Sequence, residues 1–162
     1  MKPRHLFWAF LGLAGCSGAH ANAEEAAKPT RADKVVKTDA EWKKQLPPLA
    51  YDVLRHQATE AAFSGPYGND HRHAVYHCAA CNLPVFKSED KFDSGTGWPS
   101  FTRPIAADAV ATTRDEKFGM ARVEVHCPRC GGHLGHVFED GPAPTGLRYC
   151  INGVSLKQEL VK

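Results

Sequence analysis

The sequence predicts a mainly β fold: a compact domain of antiparallel β-sheets behind a short helical N-terminal segment, tied together by a structural metal site. Three observations carry this prediction. From Ala74 onward, short strand-like runs alternate with Gly- and Pro-rich clusters. Ahead of them, Thr38-Asp39-Ala40-Glu41 has the form of a helix-starting capping box. Two C-x-x-C pairs, Cys78-Ala-Ala-Cys81 and Cys127-Pro-Arg-Cys130, punctuate the β-rich part. At 162 residues, with 43% hydrophobic and 23% charged residues, the chain has the composition of one globular domain with a core of useful size. A net charge of +2 supplies no basic field, so no nucleic-acid partner is expected.

The first residues read as a processing segment. Lys2, Arg4 and His5 precede a nine-residue apolar stretch, Leu6 to Ala14, too short to span a bilayer. Two readings of its end compete. Leu13-Ala14-Gly15-Cys16 resembles a bacterial lipobox, with cleavage before Cys16 and a lipid anchor on that cysteine. Ala19-His20-Ala21 resembles an ordinary small-x-small cleavage site. The lipobox fits the end of the apolar run better. An apolar N-terminal helix of a cytosolic protein is the remaining alternative. Either export route places the chain in the periplasm, as an anchored lipoprotein in the first case. Residues 1–21 are thus expected to be a signal segment, 22–37 an Ala/Lys/Glu-rich linker and 38–162 the folded domain.

Within that domain, the helix begun at Thr38 must end before Pro47 and Pro48. Leu49, Val53 and Leu54, with Ala58 and Phe63 further on, fit a second helix and its exit. Val123 and Val125 alternate with Arg122 and Glu124, the pattern of a half-buried strand. Ser94 to Pro99, Gly131-Gly132 and Asp140 to Gly146 mark turns, and Leu147 to Asn152 reads as another strand. The order of the strands does not follow from the text.

The two C-x-x-C pairs lie 45 residues apart. Each can offer two sulfurs from one tight turn, and four thiolates suit one tetrahedral zinc ion with no open position, so the metal is structural. In an exported chain, disulfides or redox-active pairs are alternatives. Thioredoxin-like chemistry, however, usually accompanies a βαβ pattern that is missing here. His77 and His126 adjoin Cys78 and Cys127, but strand neighbours point to opposite faces, so neither is counted as a ligand.

Six cysteines less these four leave Cys16 and Cys150. Cys150 can be an inert strand cysteine. Arg148, on the same strand face, argues otherwise, because a nearby guanidinium favours the reactive thiolate. His133 and His136 flank Gly135, which lets backbone approach closely, and both imidazoles can donate protons.

Four ordered motifs then give a resemblance. Gly95-Thr96-Gly97-Trp98-Pro99-Ser100-Phe101, His133-Leu134-Gly135-His136-Val137-Phe138, Asp140-Gly141-Pro142 and Arg148-Tyr149-Cys150-Ile151-Asn152 are similar to the signature series of the B-type methionine sulfoxide reductases. The zinc pairs sit where zinc-bearing members carry theirs. The resemblance implies reduction of methionine R-sulfoxide, chiefly in oxidised proteins. It implies Cys150 as nucleophile, with His133 and His136 near the sulfoxide oxygen as acid and positioner. Trp98 would be the apolar wall for the methyl group, with Phe138 also binding substrate. Asn152 would hydrogen-bond a polar intermediate, Arg148 would hold the thiolate charge, and Asp140 would orient a histidine or Arg148. Many relatives carry a resolving cysteine where this chain has Thr96. The expected cycle therefore leaves Cys150 as a sulfenic acid for an external reductant, thioredoxin-like or another thiol. A monomer is expected. Two other function classes stand beside this one: a zinc-stabilised binding module, indifferent to loss of Cys150, and a periplasmic thiol oxidoreductase, which would need one C-x-x-C pair free of metal.

Overall fold

Local chemistry sets the helices. In the computed structural model, which describes residues 31–115 and 121–162, the Thr38 hydroxyl accepts from the Glu41 backbone and the Glu41 carboxylate accepts from the Thr38 backbone at 2.7 Å. This capping box opens α1, Asp39–Gln45. Pro48 opens α2, Pro48–His56, whose missing N–H costs nothing in a first turn. The helix stops at Gln57, which takes a left-handed backbone. Ala50, Tyr51, Val53 and Leu54 form its buried stripe, while Leu49 faces outward. The reading of Phe63 as part of an apolar helix exit needs correction: its ring is 76% exposed. Its N–H donates to the Gly97 carbonyl at 3.0 Å, and the backbone turned for that bond sends the side chain out. The signal segment 1–21, its Cys16, and linker residues 22–30 lie outside the described residues. Residues 31–37, the end of the expected linker, lie against the domain. Asp33 pairs with Arg31 and Arg129, and the Val35 N–H donates to the Arg129 carbonyl. No helix among the described residues is long and apolar enough to cross a membrane.

Among the described residues nine strands follow: β1 Ala74–Cys78, β2 Pro84–Lys87, β3 Lys91–Phe92, β4 Ser100–Phe101, β5 Ala111–Asp115, β6 Arg122–His126, β7 His133–Phe138, β8 Arg148–Ile151 and β9 Leu156–Leu160. They form two antiparallel sheets, β2-β1-β9 and β3-β4-β8-β7-β6-β5. The mainly antiparallel β architecture with a helical N-terminal segment is thus the one the sequence predicts. Phe86 of the small sheet stacks on Phe101 of the large one at 4.5 Å between centroids, and Tyr76 meets Phe101 edge-on. Trp42, Val85, Val125, Leu134 and Ile151 complete this core.

Strand β6 shows only half of its expected pattern. Val125 is fully buried, but Val123 is 40% exposed, toward the end of the strand away from the core. The opposite face, Arg122 and Glu124, is half-buried rather than open to solvent.

Candidate active site and metal centre

Strand register brings the site together. Ser100 pairs with Cys150, Cys150 with His136, His136 with Glu124, and Glu124 with Thr113. These residues form one row across the large sheet, on a single face. Arg148, Phe138, Arg122 and Asp115 stand two residues along the same strands and so share that face. His133 and His136, three apart, would point to opposite faces of a regular strand. A register shift between Val125 and His126 inserts the extra residue that brings their ring centroids to 5.3 Å. Gly135 is where β7 and β8 press closest, since a Cβ there would lie 2.1 Å from the Cys150 carbonyl oxygen.

A cleft of about 150 Å³ is lined by Cys150, His136, Trp98, Phe138, Asn152, Gly135, Arg122 and Thr59. The residues expected from sequence divide into three groups. Cys150, His136, Asn152, Trp98 and Phe138 line the cleft. His133 lies behind it, 2% exposed, with Nδ1 2.7 Å from Glu124. Arg148 and Asp140 stand beside it as a bidentate pair at 2.7 and 2.8 Å, with the guanidinium 4.5 Å over the Phe138 ring. Asp140 therefore orients Arg148 rather than a histidine.

Electrostatics modify the picture of a ready thiolate. Burial pushes the Cys150 thiol above its ordinary value; a hydrogen bond with Thr96 and the charge of Arg148 pull the other way and lose. The Thr96 hydroxyl lies 3.9 Å from the sulfur and bonds Ser94, which bonds Ser100, each at 2.8 Å. Burial likewise pushes His133 down, against the raising effect of Glu124, so its imidazole is held neutral. His136 Nε2 lies 2.9 Å from Asp115, and Asp115 also accepts from Arg122 at 2.8 Å. Asn152 is nearly committed: its Oδ1 accepts from the Glu60 N–H and its Nδ2 donates to the Leu134 carbonyl.

Sequence reasoning missed Glu60, Asp115, Glu124, Arg122 and Thr59. Glu60 is 2% exposed. Its carboxylate accepts from the Gly153 and Val154 N–H groups at 2.6 and 3.0 Å, and its carbonyl accepts from the Trp98 indole at 3.2 Å. The bonds reach across more than 90 residues to the Asn152 turn, so no local pattern could signal them. The alternation in β6 was visible; what covers its polar face was not.

The four remaining cysteines in the described residues meet at one point. Cys78 ends β1, Cys81 lies in the turn before β2, and Cys127 and Cys130 occupy the turn between β6 and β7. All four sulfurs lie within 4.8 Å of one another, with Cys78–Cys130 at 3.7 Å and Cys81–Cys127 at 3.5 Å. A tetrahedral zinc with ~2.3 Å bonds requires sulfurs about 3.8 Å apart, so the set fits one ion. The sulfurs of Cys127, Cys130 and Cys81, then burial, push the Cys78 thiol far up, so four thiolates need a cation among them. His77 instead places Nδ1 3.2 Å from the Asn82 carbonyl and Nε2 3.1 Å from the Glu159 carboxylate. The ion would hold the two sheets together, and Arg129 between its ligands also donates to the Cys81 carbonyl.

A closed zinc knot that joins two sheets, with a further cysteine in a histidine-lined cleft on one of them, is the construction of a zinc-buttressed thiol oxidoreductase. The chain belongs to the SelR domain family, whose model matches residues 46–160. It is 54% identical over 135 residues to the peptide methionine sulfoxide reductase MsrB of Bradyrhizobium diazoefficiens, covering 83% of this chain and 97% of that protein. Proteins of the same name from Agrobacterium fabrum and Thiobacillus denitrificans are 55% and 57% identical, over 79% and 74% of this chain and 95% and 91% of theirs.

Proposed function

We propose that this chain reduces methionine R-sulfoxide, chiefly in oxidised proteins, to methionine, with Cys150 as the atom that takes the oxygen. The single observation that carries this reading is the row Ser100–Cys150–His136–Glu124 beneath a cleft walled by Trp98 and Phe138. Family membership supports it. A sulfoxide sulfur becomes electrophilic when its oxygen is protonated, and the cleft offers an acid, a thiol and an apolar wall for the methyl group.

In this reading His136 donates Nε2–H to Asp115, and its other nitrogen takes the Cys150 thiol proton and passes it to the substrate oxygen. Cys150 attacks the substrate sulfur, and the oxygen passes to the cysteine. The methionine sulfur gains two electrons and the cysteine sulfur loses two. The thiol proton ends on the sulfenic acid, so the step balances without an outside proton. His133 fixes Glu124 from behind, Arg148 opposes the burial of the sulfur, and Asn152 holds the turn that follows it. An external thiol, thioredoxin-like or otherwise, then attacks the sulfenic acid. Water leaves with the oxygen, and a second thiol releases Cys150 as that reductant is oxidised to its disulfide. The hydroxyl of Thr96 cannot take the resolving role.

The chain acts as a monomer in the bacterial periplasm, exported by its N-terminal signal segment, which is cut before Cys16, and anchored through lipid on that cysteine. The charged start and short apolar run support this. The mass of the mature N-terminus separates lipidation from simple secretion. Turnover of a methionine sulfoxide mixture with dithiothreitol, resolved by chirality, tests the main reading. Consumption of the R form alone, abolished in Cys150→Ser, is expected. Consumption of only the S form, or none, refutes it.

A further inference from the structure

The chain between α2 and β1 has no helix or strand, yet hydrogen bonds at Glu60 and Phe63 tie it to Asn152, Trp98 and Gly97. Gln57, Phe63 and Tyr67 within it all have left-handed backbones, which non-glycine residues adopt at a cost. Phe63 is also the most exposed large aromatic among the described residues, at 76%. Strain and exposure together make it unfavourable for stability alone. Its position is nonetheless fixed. Its N–H is bonded to the Gly97 carbonyl, and its ring lies so close over Gly97 that an added Cβ there would come within 2.8 Å of Cδ2.

Gly97 precedes Trp98, and both Trp98 and Thr59 line the cleft, so the two segments that meet at the Phe63–Gly97 bond also reach the proposed active site. Phe63 and Gly97 line an open groove of about 540 Å³, together with Tyr67, Asn69 and the Asp70–Arg72 ion pair. The cleft, at about 150 Å³, has room for one oxidised side chain and not for the chain that bears it. A protein substrate must therefore continue outside the cleft, and the segments of Phe63 and Gly97 lead from it to the groove. An apolar ring beside a groove of polar side chains and open backbone suits an extended polypeptide.

We propose that Phe63 and this groove form a subsite for the polypeptide flanking the oxidised methionine, with the Phe63 ring taking an apolar neighbouring side chain. This rests on the reductase reading above and adds to it the recognition of substrate sequence. The test compares wild type, Phe63→Ala and Phe63→Leu on free methionine R-sulfoxide and on two short peptides. Their sulfoxide is flanked by leucine in one and by serine in the other. Wild type should prefer the leucine peptide. In Phe63→Ala, the ratio of kcat/KM on that peptide to kcat/KM on the free amino acid should fall about tenfold, chiefly through KM, as expected for loss of one apolar contact. Phe63→Leu should recover most of it. Equal losses on peptide and free amino acid, or no preference for leucine in wild type, overturn the subsite. Wild type inactive on every substrate overturns the reductase reading instead.

Discussion

Replacing Glu60 with glutamine tests how the substrate wall is held. The carboxylate is buried, and its partners are two backbone N–H groups, at 2.6 and 3.0 Å, at the start of the Gly153–Ser155 turn. That turn has no side-chain cap of its own, so Glu60 supplies one from far away in sequence. Glutamine keeps one acceptor oxygen but turns an NH₂ group toward the second N–H donor. A hydrogen bond to a charged group contributes about 1.5–3 kcal/mol, and a buried donor left unpaired adds a further penalty. The variant should therefore lose about 2–3 kcal/mol, or roughly 6–12 °C in Tm for a domain of this size.

The loss should also reach the cleft. Glu60 bonds Asn152 through its N–H and Trp98 through its carbonyl, so loosening it frees both. Cys150 itself is held by the flanking strands β4 and β7. KM for methionine R-sulfoxide should accordingly rise in folded Glu60→Gln, while the alkylation rate of Cys150 stays near that of wild type. Thermal melting by circular dichroism, steady-state kinetics and iodoacetamide labelling read the three quantities. A Tm change below about 2 °C would show that the two N–H bonds carry little of the stability assigned to them. A lower Tm with unchanged KM would show a structural clamp with no hold on the substrate wall.

Four further outcomes are expected. Because burial raises the Cys150 thiol, its alkylation rate should keep climbing with pH past the ordinary thiol range, and Arg148→Ala should move the inflection higher still; an inflection below that range contradicts the assignment. His133 is held neutral, so the unfolded chain takes up the extra proton and stability should fall as pH drops through about 6.5. Urea titrations at several pH values should show a shallower fall in His133→Asn, and identical profiles would refute the argument. Metal analysis should find one zinc per chain, and chelation or Cys130→Ser should unfold the domain cooperatively; a folded, active, zinc-free protein would exclude the structural role. Thr96→Cys brings a second sulfur to the place where the hydroxyl is 3.9 Å from Cys150, so substrate oxidation should yield an internal disulfide by mass spectrometry, where wild type yields a sulfenic acid.

What could be read from the sequence was local or counted. The Thr38–Glu41 box needs three residues to declare itself, and it forms as written. The zinc ligands declare themselves by pairing, and Cys150 by being left over. Period-two alternation placed Arg122 and Glu124 on one face of β6 but could not say what lies above that face. The answer depends on strand order, which depends on pairings such as β1 with the C-terminal β9 that no window of sequence contains. Phe63 was misplaced for a related reason. Apolar residues are usually inside, and only the remote Gly97 carbonyl turns this one out. His133 was grouped with His136 by the family resemblance; the shift near Val125 unites the rings, and burial then separates their environments.

A thiol raised by burial does not conflict with the oxygen transfer proposed for it. The net step converts a thiol and a sulfoxide into a sulfenic acid and a thioether, so one proton must travel from sulfur to oxygen. A cysteine that already exists as thiolate would need that proton from elsewhere. A protonated Cys150 carries it, and His136, paired with it across β7 and β8 and steadied by Asp115, is placed to relay it. Arg148 and Thr96 then moderate the penalty on the transient negative sulfur without abolishing the need for the proton. On this argument a solvent isotope effect should appear in the oxygen-transfer step, and it should shrink in Asp115→Asn, where the relay is no longer aligned. An unchanged isotope effect in that variant would place the proton's route outside the His136–Asp115 pair.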